Sequence, residues 1–331
     1  MFFLDRLDLD RRFRLLRQEL RERGIDEELR GWSYDRSPVQ PIPSSISFGV
    51  GELASRYCPT LRDIWLKRVK RIRPPPNLKM VRGIAYHEVV HSTTELVKKI
   101  LYDMKRPSGS NLINRLFSVQ KQVAGEAVTK AELAIAPLSQ DQRSKLLSEC
   151  LSLFRFLSVQ AASKLDLAIS KYPHSSIDGL INVAIPPVTE RKVDGSLVGL
   201  SRELSVDIYT PFNAIADLKT GEVRKFHPYT AAGYALAIEA EENVPVDFGF
   251  IIYLRFEEDS EVPSFRLRYF VVGDELRREF LEIRDEAYEI VASGRDPGKP
   301  PRCPDYCPYY PVCAGERIEA YAERAGDVLR G

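Results

Sequence analysis

The chain has 331 residues, of which 44% are hydrophobic and 29% charged, with 48 Lys and Arg against 47 Asp and Glu. That length can bury a sizeable core, and that composition argues against a disordered chain. No apolar run is long enough to cross a bilayer, and a net charge of +1 excludes a uniformly basic polyanion binder.

Residues 5–30 carry leucines at helical spacing among many charges, which predicts an amphipathic helix. The same stretch has no apolar segment of the secretory type, so a cytoplasmic location is expected. SPVQPIPSSIS (37–47) breaks regular structure. Helix is expected again over about 51–71, ending before Pro74-Pro75-Pro76. One long helix is expected over 79–104, and two more over about 114–135 and 139–171. The texture changes after Pro173. INVAIPPV (181–188), LVGLSRELSVDIYT (197–210) and NAIADLKT (213–220) predict strands, with Asp194-Gly195 turning between the first two. A helix over 228–242, strands over 246–256 and 264–272, and a helix over about 274–293 follow. A loop with three cysteines and a short helix in ERIEAYAERAGDVL end the chain.

The fold class expected is α/β, a mixed sheet core flanked by helices. Residues 1–48 would form an N-terminal helical extension. Residues 49–302 would form the core, with a helical insert at about 105–172. Residues 303–331 would form a cysteine segment closed by Cys58.

The tail run PPRCPDYCPYYPVCAG holds Cys303, Cys307 and Cys313. Three thiolates do not complete a tetrahedral zinc site or an iron–sulfur cluster, and Cys58 is the natural fourth ligand. In a reducing cytosol such a cluster favours metal over disulfides. The spacing alone fits structural zinc as well as iron–sulfur. Cys150, among leucines in LLSECLSL, is expected to be a buried apolar filler.

A short turn between two predicted strands makes a hairpin that brings Asp207 near Asp217. Asp217 and Lys219 are two apart on one strand and share a face. Neighbouring carboxylates repel unless a cation lies between them, and oxygen ligands suit Mg²⁺ or Mn²⁺. A lysine on that face can orient water or offset charge on a phosphate. D-x-K is common by itself, but apolar Ile215, Ala216 and Leu218 beside it suggest a partly buried sheet.

His87 and His91 lie one turn apart in RGIAYHEVVH. HEVVH also matches the zinc-protease pattern literally, although no third ligand follows at helical spacing. Upstream, Arg62, Lys67, Arg68, Lys70, Arg71, Arg73, Lys79 and Arg82 form a basic stretch in which Asp63 is the sole acid. It would guide a phosphate backbone, or it is simply a solvated face.

Taken in order, these are Cys58, RG-x3-HE with His87, Asp207, Asp217-x-Lys219, a helix with Tyr234, and a terminal cysteine triplet. That order resembles the RecB-like iron–sulfur nucleases of the PD-(D/E)XK superfamily, and within them the CRISPR-associated Cas-four family, in its longer archaeal variant. The resemblance covers about residues 50–315. It implies a restriction-endonuclease-like core, with His87, Asp207, Asp217 and the Leu218 carbonyl holding Mg²⁺ or Mn²⁺. Lys219 would position the hydrolytic water, which the metal activates. It also implies a [4Fe-4S] cluster on Cys58, Cys303, Cys307 and Cys313, with zinc or [2Fe-2S] as alternatives.

The function so implied is a DNA exonuclease, with endonuclease activity as a further option, that processes spacer precursors in CRISPR adaptation. Its partners would be DNA, single-stranded or with single-stranded overhangs, and the integrase proteins Cas-one and Cas-two. No membrane is implied, and oligomerisation is left open. Lys67, Arg68, Lys70, Arg71, Arg73, Thr230 and Tyr234 are the candidate DNA contacts. Thr230 stands where the family often has Gln, and the cysteines are spaced C-x3-C-x5-C where two residues in the first gap are commoner. The Thr230 departure motivates an alternative, a DNA-end-binding scaffold with little hydrolysis. A zinc metalloprotease acting through HEVVH is a further one.

Overall fold

The computed structural model describes residues 6–257 and 260–315. The helix expected in ERIEAYAERAGDVL lies outside the described residues. A helix α1 (Arg6–Arg23) opens the chain and ends at Gly24, whose φ of +71° is the left-handed conformation that stops helices. The expected helix over 5–30 is therefore shorter, and 3₁₀ turns at Glu27–Leu29 and Gly31–Ser33 replace its last part. The helix expected over 51–71 is two pieces, α2 (Val50–Ala54) and α3 (Arg62–Arg68). Cys58-Pro59 separates them, because proline cannot continue the hydrogen-bond ladder of the preceding turn.

Three long helices follow: α4 (Leu78–Tyr102), α5 (Gly109–Ala134) and α6 (Gln140–Lys171). Asn77, Ser108 and Ser139 cap their N-termini, each accepting a backbone N–H in the first turn. The Ser108 cap starts α5 five residues before the apolar periodicity becomes visible. The strand expected at 181–188 is instead the end of a helix, α7 (Ile177–Ala184), capped by Ser176. Leu180, Ile181 and Ala184 are buried at helical spacing, and only β1 (Val188–Val193), after Pro186-Pro187, is extended. The strand expected over 197–210 begins late, as β2 (Leu204–Thr210), because residues 196–198 form a 3₁₀ turn that closes on Gly199. Then come β3 (Ala214–Lys219), α8 (Tyr229–Glu242), β4 (Phe248–Arg255), β5 (Ser264–Val271), α9 (Asp274–Ser293) and α10 (Tyr310–Ala314).

The strands form a mixed sheet in the order β1-β2-β3-β4-β5. All neighbours are antiparallel except β3 and β4, which run parallel and are joined through α8. Parallel neighbours need such a crossover, and β3 and β4 are accordingly buried on both faces. On one face Ala214, Ala216, Leu218, Phe248, Phe250 and Ile252 pack against α1 and the α4–α7 helices. Phe13 of α1 stacks on Phe248 with ring centroids 4.9 Å apart, so the first helix is part of this core. On the other face Ile215 joins α2, α8 and α9. Among the described residues, no helix is long and apolar enough to cross a membrane.

A buried charge network ties the 27–33 segment to α8 and α9. Glu239 accepts from Arg277 Nη1 and Nη2 at 2.7 and 2.8 Å, from Arg30 Nη1 at 2.8 Å and from the Gly31 N–H at 2.8 Å. Burial pushes the Glu239 carboxyl up, but Arg277 outweighs it and holds the group below the usual range. Gly31 is required here, since a Cβ would stand 2.0 Å from the Leu236 carbonyl oxygen.

Candidate active site

The β2–β3 hairpin is closed by Pro211–Asn213, with Phe212 and Asn213 at φ of 70° and 52°. Its register pairs Ile208 with Ala216, so one further rung sets Asp207 opposite Asp217. Residues opposite one another in an antiparallel pair share a face, and Lys219 lies on that face too. The predicted triad is therefore brought together.

Asp207 Oδ2 accepts the Leu218 N–H at 3.2 Å and lies 3.5 Å from His87 Nδ1. His87, from α4, bonds the Leu218 carbonyl through Nε2 at 3.0 Å. Because a carbonyl only accepts, Nε2 carries the proton in this arrangement. Lys219 Nζ donates to Asp217 Oδ1 at 3.1 Å. Its distance to Asp217 Oδ2 is shorter, 2.8 Å, but that oxygen is buried without a hydrogen bond. Burial is the largest influence on Asp217 and raises its pKa, against the pull of Lys219. Burial disfavours the Lys219 charge, but Asp217 outweighs it and the ammonium is held.

Two carboxylates, an imidazole and a backbone carbonyl are a donor set suited to Mg²⁺ or Mn²⁺, and Asp217 Oδ2, ion-paired with Lys219 but not hydrogen-bonded, is an acceptor such an ion would satisfy. The four groups fit a divalent cation in chemistry. In the arrangement seen they are bonded to one another instead. Among the described residues, no three His, Cys, Asp or Glu side chains are gathered closely enough to hold a metal ion.

His87, Leu218 and Lys219 open onto a cavity of about 630 Å³, also lined by Asp63, Lys67, Lys79, Arg224, Phe226, Thr230 and Tyr306. Asp207 lies behind His87, in a small separate cavity with His91, Thr189 and Glu190. Glu190 was not among the residues picked from the sequence. It sits across from Asp207 in the β1–β2 register with a φ of 54° and accepts from Ser205 Oγ at 2.6 Å. Only the strand-interrupting backbone marks it out, and no sequence pattern reports that.

The second histidine of HEVVH goes elsewhere. His91 Nδ1 lies 2.8 Å from Thr189 Oγ1 on β1, while Glu88 is tied to Ser92 and to Lys130 of α5. The pair and its glutamate thus serve three different neighbours, and the protease reading gains no support. His227 is buried and bonded to the Tyr253 hydroxyl at 3.1 Å. Burial and Lys219 push its pKa down to about 4, so it is neutral at physiological pH.

The basic stretch 62–82 does not form one solvated face. Arg62 is buried and grips Asp296 through Nε and Nη2, both at 2.8 Å. Lys67 and Arg68 pair with Glu52, Lys70 lies over the Trp65 ring, and Arg82 pairs with Glu149. Arg71 and Arg73 are exposed, and Lys67 and Lys79 reach the cavity. Thr230 is buried at the cavity wall, and the Tyr234 hydroxyl donates to the Ser205 carbonyl at 2.7 Å. Tyr234 is thus buried and bonded to backbone in this arrangement.

The cysteines lie where chain start and chain end meet. Trp65, Leu66 and Ile72 pack with Cys307, Tyr309, Val312 and Cys313. Arg62 Nη1 donates to Cys313 Sγ at 3.1 Å, and Cys58 Sγ lies 3.3 Å from Thr60 Oγ1. Burial pushes the Cys307 thiol up to about 12, with Asp63, Cys58 and Cys313 close enough to add to the shift. Cys303 is on the same loop and half-buried. Soft thiol donors suit a thiolate-bound metal in their chemistry, although no three of them are gathered closely enough here to hold one. Cys150 is buried in α6, well away from them in the fold's helical layer.

The sequence of the whole chain was compared with known proteins against this background. The family model described as "CRISPR-associated exonuclease Csa1" matches residues 1–317. A protein of that name from Thermoproteus tenax is 33% identical over 303 residues, which cover 91% of this chain and 96% of the relative. Another from Saccharolobus solfataricus is 33% identical over 320 residues, covering 95% and 99%. The resemblance drawn from motif order is borne out at the level of the family, and this chain belongs to the CRISPR-associated exonuclease Csa1 family.

Proposed function

We propose that this chain is a metal-dependent DNA exonuclease with a PD-(D/E)XK core, acting on spacer precursors in CRISPR adaptation. One observation carries the reading. His87 from α4, Asp207 from β2 and Asp217, Leu218 and Lys219 from β3 come together beside a cavity of about 630 Å³. The hairpin register puts the two aspartates and the lysine on one face, and the packing of α4 brings His87 to them. The relatives' printed names support the activity and the link to CRISPR.

Mg²⁺ or Mn²⁺, held by His87, Asp207, Asp217 and the Leu218 carbonyl, would supply positive charge against the scissile phosphate and make water more acidic. The chain's own groups do the rest. Asp207 is oriented by the Leu218 N–H and His87. Lys219, kept charged by Asp217, donates a hydrogen bond at the cavity wall, toward the attacking water or a phosphate oxygen. His227, bonded to the Tyr253 hydroxyl, lies near Lys219 at the cavity wall. Cys58, Cys303, Cys307 and Cys313 would hold a structural [4Fe-4S] cluster. DNA ends and the integrase proteins Cas-one and Cas-two are the proposed partners, and the cytoplasm the proposed location. The domain plan follows, with 49–302 as catalytic core, 105–172 as helical insert and 303–331 as the cysteine segment.

End-labelled single-stranded DNA incubated with Mn²⁺ or Mg²⁺, with a chelated control, tests this. Shortened products that disappear in Asp217→Ala and Lys219→Ala proteins are expected. Unchanged cutting in those variants would remove the assigned site. Tight binding with no metal-dependent product would favour the end-binding scaffold instead.

A further inference from the structure

We infer that the cavity beside Lys219 contains a pocket for one unpaired nucleobase, stacked on Arg224 and Tyr306 with its amino edge on the carboxylate of Asp63. The inference deepens the nuclease reading and rests on it for the substrate class. Three observations converge. Arg224 lies over the Tyr306 ring with its guanidinium carbon 4.0 Å from the centroid, and Phe226 stands 5.9 Å from the same ring, tilted by 41°. All three are half-buried and line the cavity; Tyr309, three residues from Tyr306, also borders it but is itself buried in the cysteine core. Packing explains Tyr309, but it leaves the Arg224–Tyr306–Phe226 surface facing an open space. Aromatic rings and guanidinium planes are surfaces on which unpaired bases stack.

The third observation is Asp63. It is only 6% exposed, lines the same cavity, and its Oδ1 has no hydrogen-bond partner. A buried acceptor without a partner is costly, and the carboxylate it belongs to borders the cavity, where a ligand donor would offset that cost. The exocyclic amino group of cytosine is such a donor, and carboxylates accept from it. Uracil presents a carbonyl oxygen at the same position, so it would leave Asp63 unpaired and add repulsion. The pocket therefore favours a base with an amino edge over one with a carbonyl there. Because Lys219 and His87 share the cavity, the stacked base would lie next to the phosphate being cut.

The test is fluorescence-anisotropy titration of the full chain with short oligodeoxycytidine and oligodeoxyuridine in a chelating buffer, where hydrolysis plays no part. The wild-type chain should bind oligodeoxycytidine on the order of tenfold more tightly. Asp63→Asn should abolish that preference. Tyr306→Ala and Arg224→Ala should each weaken both oligonucleotides on the order of tenfold, and Tyr306→Phe should restore binding. Equal affinity of the wild type for the two oligonucleotides would overturn the inference. So would a preference that survives Asp63→Asn, or unchanged binding in both stacking variants. Each of these results leaves the nuclease reading intact, because metal-dependent cutting is scored separately. Absence of all binding would sink both.

Discussion

Lys219 Nζ lies 2.8 Å from Asp217 Oδ2, and the pair is buried beside Asp207 on a strand with both faces covered. A charged lysine in such a place needs its aspartate, and the aspartate raises rather than lowers the lysine's affinity for its proton. The ammonium is thus fixed in its charged form and in position. Lys219→Ala should lower kcat by about 10²-fold or more while leaving the affinity for DNA nearly unchanged. Single-turnover cleavage beside equilibrium binding separates the two quantities, and an equal loss in both would mean that Lys219 merely binds the strand.

Asp63 gives a pH-dependent prediction. Burial is the main cause that pushes its pKa up to about 6, with the backbone N–H groups of Ile64 and Asp63 opposing and Glu52 adding. The ordinary value is 3.8. Between these two values the folded chain holds more protons than the unfolded one, so stability falls as pH rises through the window. The loss above the window is about 3 kcal/mol. Asp63→Asn should therefore raise Tm at neutral pH and make little difference in acid. Thermal unfolding of both proteins at acid and neutral pH checks this, and a Tm gain that does not grow with pH would refute it.

Much of this was legible in the sequence, and the gaps have physical causes. The Asp207–Asp217–Lys219 face followed from strand periodicity and one short hairpin, because side-chain alternation is a local property. His87 next to Leu218 was reached through motif order, as nothing local says which strand a helix will meet. The segment 181–188 failed because Ile, Val and Ala serve a short helix as well as a strand, and the Ser176 cap decided between them. The basic stretch looked uniform because composition does not show partners. Arg62 and Arg82 are taken by Asp296 and Glu149, each remote in sequence. Asp63 was noted only as the lone acid of that stretch. Its burial against the tail cysteines is a tertiary fact.

The Glu239–Arg277 pair predicts an asymmetry. Both side chains are fully buried, and Glu239 also receives Arg30, Gly31 and Val246. Glu239→Gln should destabilise the chain by about 3–5 kcal/mol, because Arg277 keeps its charge without a counter-charge. The double change Glu239→Leu with Arg277→Met should cost less than Glu239→Gln alone, since the desolvation of two ions goes with them. Urea denaturation of the three proteins measures it. A double change as damaging as Glu239→Gln would show that the network's hydrogen bonds, not its charges, hold α8 to α9.

The clasp between the two chain regions predicts what the cysteines hold. Residues 58–72 are joined to 294–313 by Thr60 Oγ1 donating to the Gly298 carbonyl at 2.8 Å, by the Arg62–Asp296 fork, and by Trp65 Nε1 donating to the Gly294 carbonyl at 2.9 Å. The Tyr309 hydroxyl adds a bond to the Ile72 carbonyl at 3.3 Å. These contacts hold Cys307 and Cys313 in one small apolar core, with Cys58 close enough to Cys307 to influence its thiol and without any bond between sulfurs. A cluster on the four tail-and-loop cysteines would lock that clasp and expel the proton that burial keeps on Cys307. Protein purified without oxygen should then be brown, with broad absorption toward the violet. Serine at Cys58, Cys303, Cys307 or Cys313 should remove that absorption and speed proteolysis within 294–313. Cys150→Ser should keep the colour, since Cys150 packs in the helical layer. A colourless protein carrying zinc would replace iron–sulfur with a structural zinc site on the same residues, and full colour in Cys58→Ser would show that the two chain regions do not share a metal.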